Sequence, residues 1–180
     1  NGFESFTGQI NVEYFKPETA DKLYWNMYTN NEQKVENNLA IAKNNGDWNS
    51  NLFTHVSYHE KEVDHNNDGF LDIPHLMNVN LLNRYVYEGS DLFKAQIYLK
   101  GLYEDRVGGQ VSEITNPYKV DVHNDMLEIA TKSGLRPDCE GKSLGLQTAF
   151  RRHNQIAKYG DRIYEGLQES AYLNLIRQTD

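Results

Sequence analysis

Hydrophobic and polar positions alternate along much of this chain, most regularly over Phe93-Lys94-Ala95-Gln96-Ile97-Tyr98-Leu99-Lys100-Gly101-Leu102-Tyr103. One alternate set is Phe93, Ala95, Ile97, Leu99, Gly101 and Tyr103, aliphatic in the middle and aromatic at both ends. The other set, Lys94, Gln96, Tyr98, Lys100 and Leu102, is largely polar and carries two charges. A period of two predicts a β-strand, because successive side chains leave opposite sides of the pleat. Soluble strands run to about 5–6 residues, whereas this pattern holds for 11. A tilted strand crossing a bilayer needs about 9–11 residues, with aromatic girdles at both interfaces and a polar side toward a lumen. This segment fits that description.

The pattern recurs. Trp48, Ser50, Leu52, Thr54, Val56 and Tyr58 again place aromatics at the ends of a less polar row, opposite Asn49, Asn51, Phe53, His55, Ser57 and His59. Within Ser143 to Arg152, Leu144, Leu146, Thr148 and Phe150 alternate with Gly145, Gln147, Ala149 and Arg151. Near the end, Leu167, Ala171, Leu173 and Leu175 share a face with Glu169, and Gln168, Ser170, Tyr172 and Asn174 share the other. Weaker alternation predicts strands over Leu23 to Thr29, Val35 to Lys43, Val79 to Tyr87 and Asp125 to Thr131. The expected class is therefore all-β, an antiparallel meander of roughly eight long strands. Polar segments such as Asn44-Asn45-Gly46-Asp47 and Glu88-Gly89-Ser90-Asp91 supply hairpin turns. Pattern alone fits an antiparallel sandwich with one wet face equally well.

Composition narrows the function more than the fold. With a net charge of −8 over 180 residues, nothing in the electrostatics favours nucleic acid or an anionic membrane surface. The longest unbroken aliphatic run, Leu39-Ala40-Ile41-Ala42, excludes a transmembrane helix but not a transmembrane barrel, whose strands are half polar. Cys139 stands alone, so no internal disulfide is expected. No nucleophile elbow, phosphate-cradling glycine loop or zinc-helix motif is present, and with 26 carboxylates no acid–base pair stands out. The expectation is that the chain is not an enzyme. Glu104, Asp105 and Arg106 cluster after the best strand, where Arg106 should pair with a neighbouring carboxylate, and Gly108-Gly109 reads as a turn.

The run Gly2-Phe3-Glu4-Ser5-Phe6-Thr7-Gly8-Gln9-Ile10-Asn11-Val12-Glu13-Tyr14 stops at Pro17. It resembles the junction between plug and barrel in TonB-dependent outer-membrane receptors of the cobalamin- and siderophore-receptor-like branch. The resemblance continues through Asp64 to Asp72, Asn83-Arg84-Tyr85 and Leu102 to Gln110. It implies that residues 1–17 end the plug and that residues 18–180 are the N-terminal portion of a ~22-stranded barrel. It further implies a Gram-negative outer membrane, contact with lipid, and uptake of a scarce nutrient such as a metal chelate or cobalamin. The TonB complex would be engaged by a plug segment lying outside this chain.

The best local chemical motif is Asp64-His65-Asn66-Asn67-Asp68-Gly69-Phe70-Leu71-Asp72. Asp64, Asn66 and Asp68 at intervals of two, the Phe70 carbonyl and Asp72 match a calcium loop of alternating oxygen ligands, with Gly69 at the sharp turn. His75 stands where a bidentate Glu belongs, and no helical pattern flanks the loop, so an EF-hand is not expected. The bland alternative is a solvated turn at Asn67-Asp68-Gly69. His55 and His59 share a face, but four residues of strand separate their Cα atoms by ~13 Å, too far to share one ion. His65, His75, His123 and His153 read as loop or wall residues. The competing function is a secreted calcium-dependent carbohydrate-binding β-sandwich, with Trp48, Tyr85 or Tyr87 stacking on sugar.

Overall fold

The computed structural model describes residues 14–137 and 141–179. Cys139 and the strand expected before Tyr14 lie outside them. Eight strands follow in order: β1 Leu23–Thr29, β2 Val35–Asn45, β3 Trp48–His59, β4 His75–Tyr87, β5 Phe93–Gly109, β6 Lys119–Leu135, β7 Ser143–Tyr159 and β8 Arg162–Gln178. All are antiparallel to their neighbours, and the sheet order is the chain order. The eight strands form one sheet, an antiparallel meander as expected, with no second layer among the described residues, so the alternative sandwich is not what these residues build.

The strands grow longer along the chain, from 7 residues in β1 to 17 in each of β5 to β8. The alternation that announced them covers only part of that length. In β5 the ladder runs six residues past Tyr103, so Glu104, Asp105 and Arg106 lie inside the strand rather than after it. Arg106 does pair with Glu104, at 3.1 Å. Gly108 and Gly109 end β5 instead of making a turn. Gly109 has φ +109, and a Cβ there would meet the Tyr118 carbonyl at 2.3 Å, so only glycine lets the next connection come this close.

Register sorts the side chains onto two faces. Leu39, Thr54, Leu81, Gly101 and Leu127 form one cross-strand row; Ala40, Phe53, Leu82, Lys100 and Glu128 form the adjacent row on the other face. The first face is mainly apolar, the second mainly polar. The polar face is the covered one: Asn51 is 2% exposed, His59 1% and Arg84 9%. The apolar face stands open, with Leu173 73% and Trp25 65% exposed. Residues 14–22 supply part of the cover. They cross the polar face as a strap, where Asn51 Nδ2 donates to the Phe15 carbonyl at 2.6 Å and Tyr14 packs on Phe53 with centroids 5.5 Å apart. The strap then turns at Lys16–Ala20 and enters β1.

The outer edges of β1 and β8 have no partner strand among the described residues, and every residue of β1 is exposed. Open edges and an open apolar face both drive association in water. The 180-residue chain without detergent is therefore expected to sediment well above its 20.8 kDa. A clean monomer in sedimentation velocity would contradict this.

Candidate functional site

The apolar face carries two aromatic rims. On β3 they are Trp48 and Tyr58, and on β5 Phe93 and Tyr103, ten residues apart in each strand. Trp48, Tyr87 and Phe93 pack in a line, with centroids 5.0 and 6.0 Å apart. At the other rim the Tyr58 hydroxyl donates to Glu60 and the Tyr103 hydroxyl to Asp105. The rims are not level with the hydrogen-bonded rows. The row of Trp48 reaches β5 at Ala95, two residues inside Phe93, and the row of Tyr58 reaches it at Asp105, two residues beyond Tyr103. Both rims thus shift by one residue per strand. With about 3.3 Å per residue and about 4.8 Å between strands, this is a tilt of roughly 35°. Ten residues at that tilt project to about 27 Å, close to the ~25 Å apolar band of outer-membrane barrels.

Carried across the sheet at the same stagger, the band contains no carboxylate on the apolar face of the described strands. Asp125, Arg152 and Glu169 all fall at or beyond the Tyr58–Tyr103 rim. The charges inside it are Lys43 and Arg177, both within about one turn's reach of the Trp48–Phe93 rim, where a long cationic side chain can extend to water. At the same depth the polar face carries Lys100, Lys132 and the Glu128–Arg151 ion pair.

Connections at the two rims differ. Beside Trp48 and Phe93 lie the short turn 46–47, the segment 88–92 and the described residues 136–137 and 141–142; beside Tyr58 and Tyr103 lie 30–34, 110–118, 160–161 and the longest, 60–74. The last contains the acidic motif. Asp64 accepts from the backbone N–H of Asp68 at 3.2 Å and of Gly69 at 2.8 Å. Asp68 accepts from Phe70 N–H at 2.9 Å, and Asp72 from His65 N–H at 2.8 Å. Asn67 and Gly69 take the positive φ values the turn requires. The five expected ligand residues are thus gathered in one loop, with Asp64, Asp68 and Asp72 accepting from its backbone. Among the described residues no group of three or more His, Cys, Asp or Glu is placed to hold a metal ion.

The histidines take separate parts. His55 Nδ1 meets Asn38 Oδ1 at 2.7 Å, and buried His59 donates from Nδ1 to the Pro74 carbonyl at 3.1 Å. His123 lies between Asp105, at 2.6 Å, and Asp125, at 3.4 Å, outside the band. His65 approaches Glu32 at 3.5 Å, His75 begins β4, and His153 lies on the polar face of β7.

Three features carry no signal in the sequence alternation. Arg84 is buried on the polar face, holding Gln96 Oε1 at 3.3 Å and lying 5.5 Å from the Tyr98 ring centre. A cavity of about 550 Å³ opens between the strap and β1–β3, lined by Tyr24, Ala40, Asn51, Phe53 and His55. Loops 60–74 and 110–118 are clasped: Val111 N–H donates to Gly69 O at 3.0 Å, and Ser112 donates to Glu62 through its hydroxyl at 2.9 Å and its N–H at 3.3 Å. Pro17 marked where the preceding run stops, but nothing in the sequence showed that the chain then crosses the polar face. The clasp joins residues 50 apart in sequence and has no local signature.

Compared with known protein families, curated proteins and solved structures, the chain matches none.

The Ser112 hydroxyl, then its N–H, holds the Glu62 carboxyl below the usual glutamate range. A depressed folded-state value means that Glu62 supports the clasp at every pH above the ordinary value, about 4.3, and that the support is lost as pH falls through the lower folded-state value. Pepsin cleavage within 110–118 is expected to rise on acidification below about pH 4, and Glu62→Gln to flatten that rise. An identical acid dependence in both proteins would exclude the clasp as its cause.

Proposed function

We propose that this sheet is part of the wall of a transmembrane β-barrel in the outer membrane of a Gram-negative bacterium, within a receptor that takes up a scarce nutrient. The observation that carries the reading is the inverted distribution of side chains: the apolar face is open, and the polar face is the more buried, covered in part by the chain's own strap. A water-soluble sheet does the opposite. The rim-to-rim band supports the reading independently, since its thickness, tilt and lack of carboxylates are those a bilayer requires. The longest connections of such barrels face outward, which would put loop 60–74 outside the cell. The more specific assignment, to TonB-dependent receptors for metal chelates or cobalamin, rests on the sequence resemblance alone. On it, lipid and the TonB complex are the partners, and the substrate would be bound by plug and loop residues.

In the outer membrane, Ile97→Arg is expected to lower assembled protein severely, because Arg at the midplane costs about 2–4 kcal/mol. Asn174→Arg, at similar depth on the polar face, should be tolerated. Gln96 is not a suitable control, since it holds Arg84 and Tyr98. Equal losses at Ile97 and Asn174, read by heat-modifiable gel mobility, would defeat the membrane assignment.

Facing outward, the acidic loop would meet calcium concentrations at which a site of on the order of millimolar affinity fills. Calorimetric titration is then expected to show heat with the parent protein and none with Asp68→Ala. Absence of heat up to several millimolar calcium would leave the hydrogen-bonded turn as the loop's only role.

A further inference from the structure

The geometry points to a binding site on the polar face of β5–β7 for a small organic dianion, a compound with a carboxylate or phosphate group at each end. Its contacts are Lys100 on β5 and Lys132 on β6. Among the described residues neither ammonium has a carboxylate within ion-pair distance. The carboxylates nearest in the ladder are engaged elsewhere. Glu128 stands opposite Lys100 but is held by Arg151 of the next strand, and Glu104 is shared by Asn78, Asn124 and Arg106.

Arg84 points the same way independently of the lysines. Buried charges are as a rule paired with an opposite charge. Arg84 is 9% exposed, its Nη2 donates to the neutral Gln96 Oε1 at 3.3 Å, and its guanidinium lies over the Tyr98 ring. No carboxylate among the described residues neutralises it. Being covered, it acts on a ligand through its charge, and direct contact falls to exposed Lys132 and half-buried Lys100. These unpaired cations gather in a chain whose net charge is −8. Attraction for an anion is therefore a property of this place and not of the whole molecule.

Register sets the ligand's shape. Lys132 pairs with Gln96, four residues along β5 from Lys100, which puts the two lysine Cα atoms ~14 Å apart. Their flexible four-carbon stems can close from both ends on a ligand lying between them. In the row between them Tyr98 is followed by Ala130 and Ala149, whose short side chains leave room above β6 and β7. A single negative charge would satisfy only one lysine. This face is the same whatever covers the apolar one, so the inference does not depend on the membrane reading, and its failure would leave that reading intact.

The test is calorimetric titration of the full chain in micelles of an uncharged detergent, its sheet content verified by circular dichroism. Salt at about 0.1 M screens scattered surface charge beyond about 10 Å. Glutarate and 1,3-propanediol bisphosphate present the two sources of charge, butyrate is the monoanion, and 1,5-diaminopentane is the cation of like length. At least one dianion is expected to bind saturably, about tenfold tighter than butyrate, and the tighter of the two identifies the end group. The diamine should show no saturable binding. Lys100→Gln and Lys132→Gln should each weaken the dianion by about tenfold, the scale of one hydrogen bond to a charged group. Lys94→Gln, on the same face but paired with Glu88 at 3.6 Å, should leave binding unchanged. Failure of both dianions to bind would overturn the inference, as would butyrate binding equally well. Equal losses in all three lysine variants would also overturn it, since that is the behaviour of diffuse charge.

Discussion

The register of the antiparallel ladder is the constraint on which everything else here depends. A slip of one residue in any pair would exchange the faces of a strand, placing Lys100 where Leu99 stands and Ile97 among the polar groups. The register is pinned at several points. Gly46 takes φ +60 in the turn that joins β2 to β3, and Gly160 takes φ +58 between β7 and β8. Across the polar face, side-chain pairs bind in only one alignment: Glu104 accepts from Asn78 at 2.9 Å and from Asn124 at 3.3 Å, tying β4, β5 and β6 together.

With the faces so assigned, the described residues form almost no apolar core. The buried apolar residues are Val63, Leu82, Val86 and Ala157, among more buried polar ones. Removal of apolar surface from water, the main driving force in a soluble fold, is supplied only slightly from within. What holds the described structure is the backbone ladder and a network of polar pairs on the covered face. Such a network is worth most where water is scarce, since each bond strengthens as the surroundings become less polar. A sheet of this design is completed by whatever covers its apolar side.

Much of the fold was legible because period two survives even when a strand's two faces differ only moderately. Leu23–Thr29 has the same limits in sequence and structure, and Trp48 to Tyr58 needed one added residue. The long ends of β5 to β8 were not legible, and the reason is physical. Beyond Tyr103 the open face changes from aliphatic to Asp105, His123 and Asp125, so both faces become polar and the alternation fades while the ladder continues. The acidic loop was legible as a turn, because Asn67, Asp68 and Gly69 are residues that tolerate its dihedrals. The cavity was not: Asn51 and His55 were assigned to one face, but only the strap's path makes that face an enclosure.

The chain-order pairing of the strands also bears on how the sheet is made. Each strand lays down beside the one just formed, so assembly can proceed hairpin by hairpin with mostly local contacts. The longest closure is the join between β3 and β4, where residues 60–74 must be closed, against two-residue turns at 46–47 and 160–161. On chain-entropy grounds that closure costs about 2 kcal/mol more than a two-residue turn. The costliest closure in the sheet therefore falls between β3 and β4, and the clasp to residues 110–118 offsets part of it by tethering the long loop to the connection that follows β5.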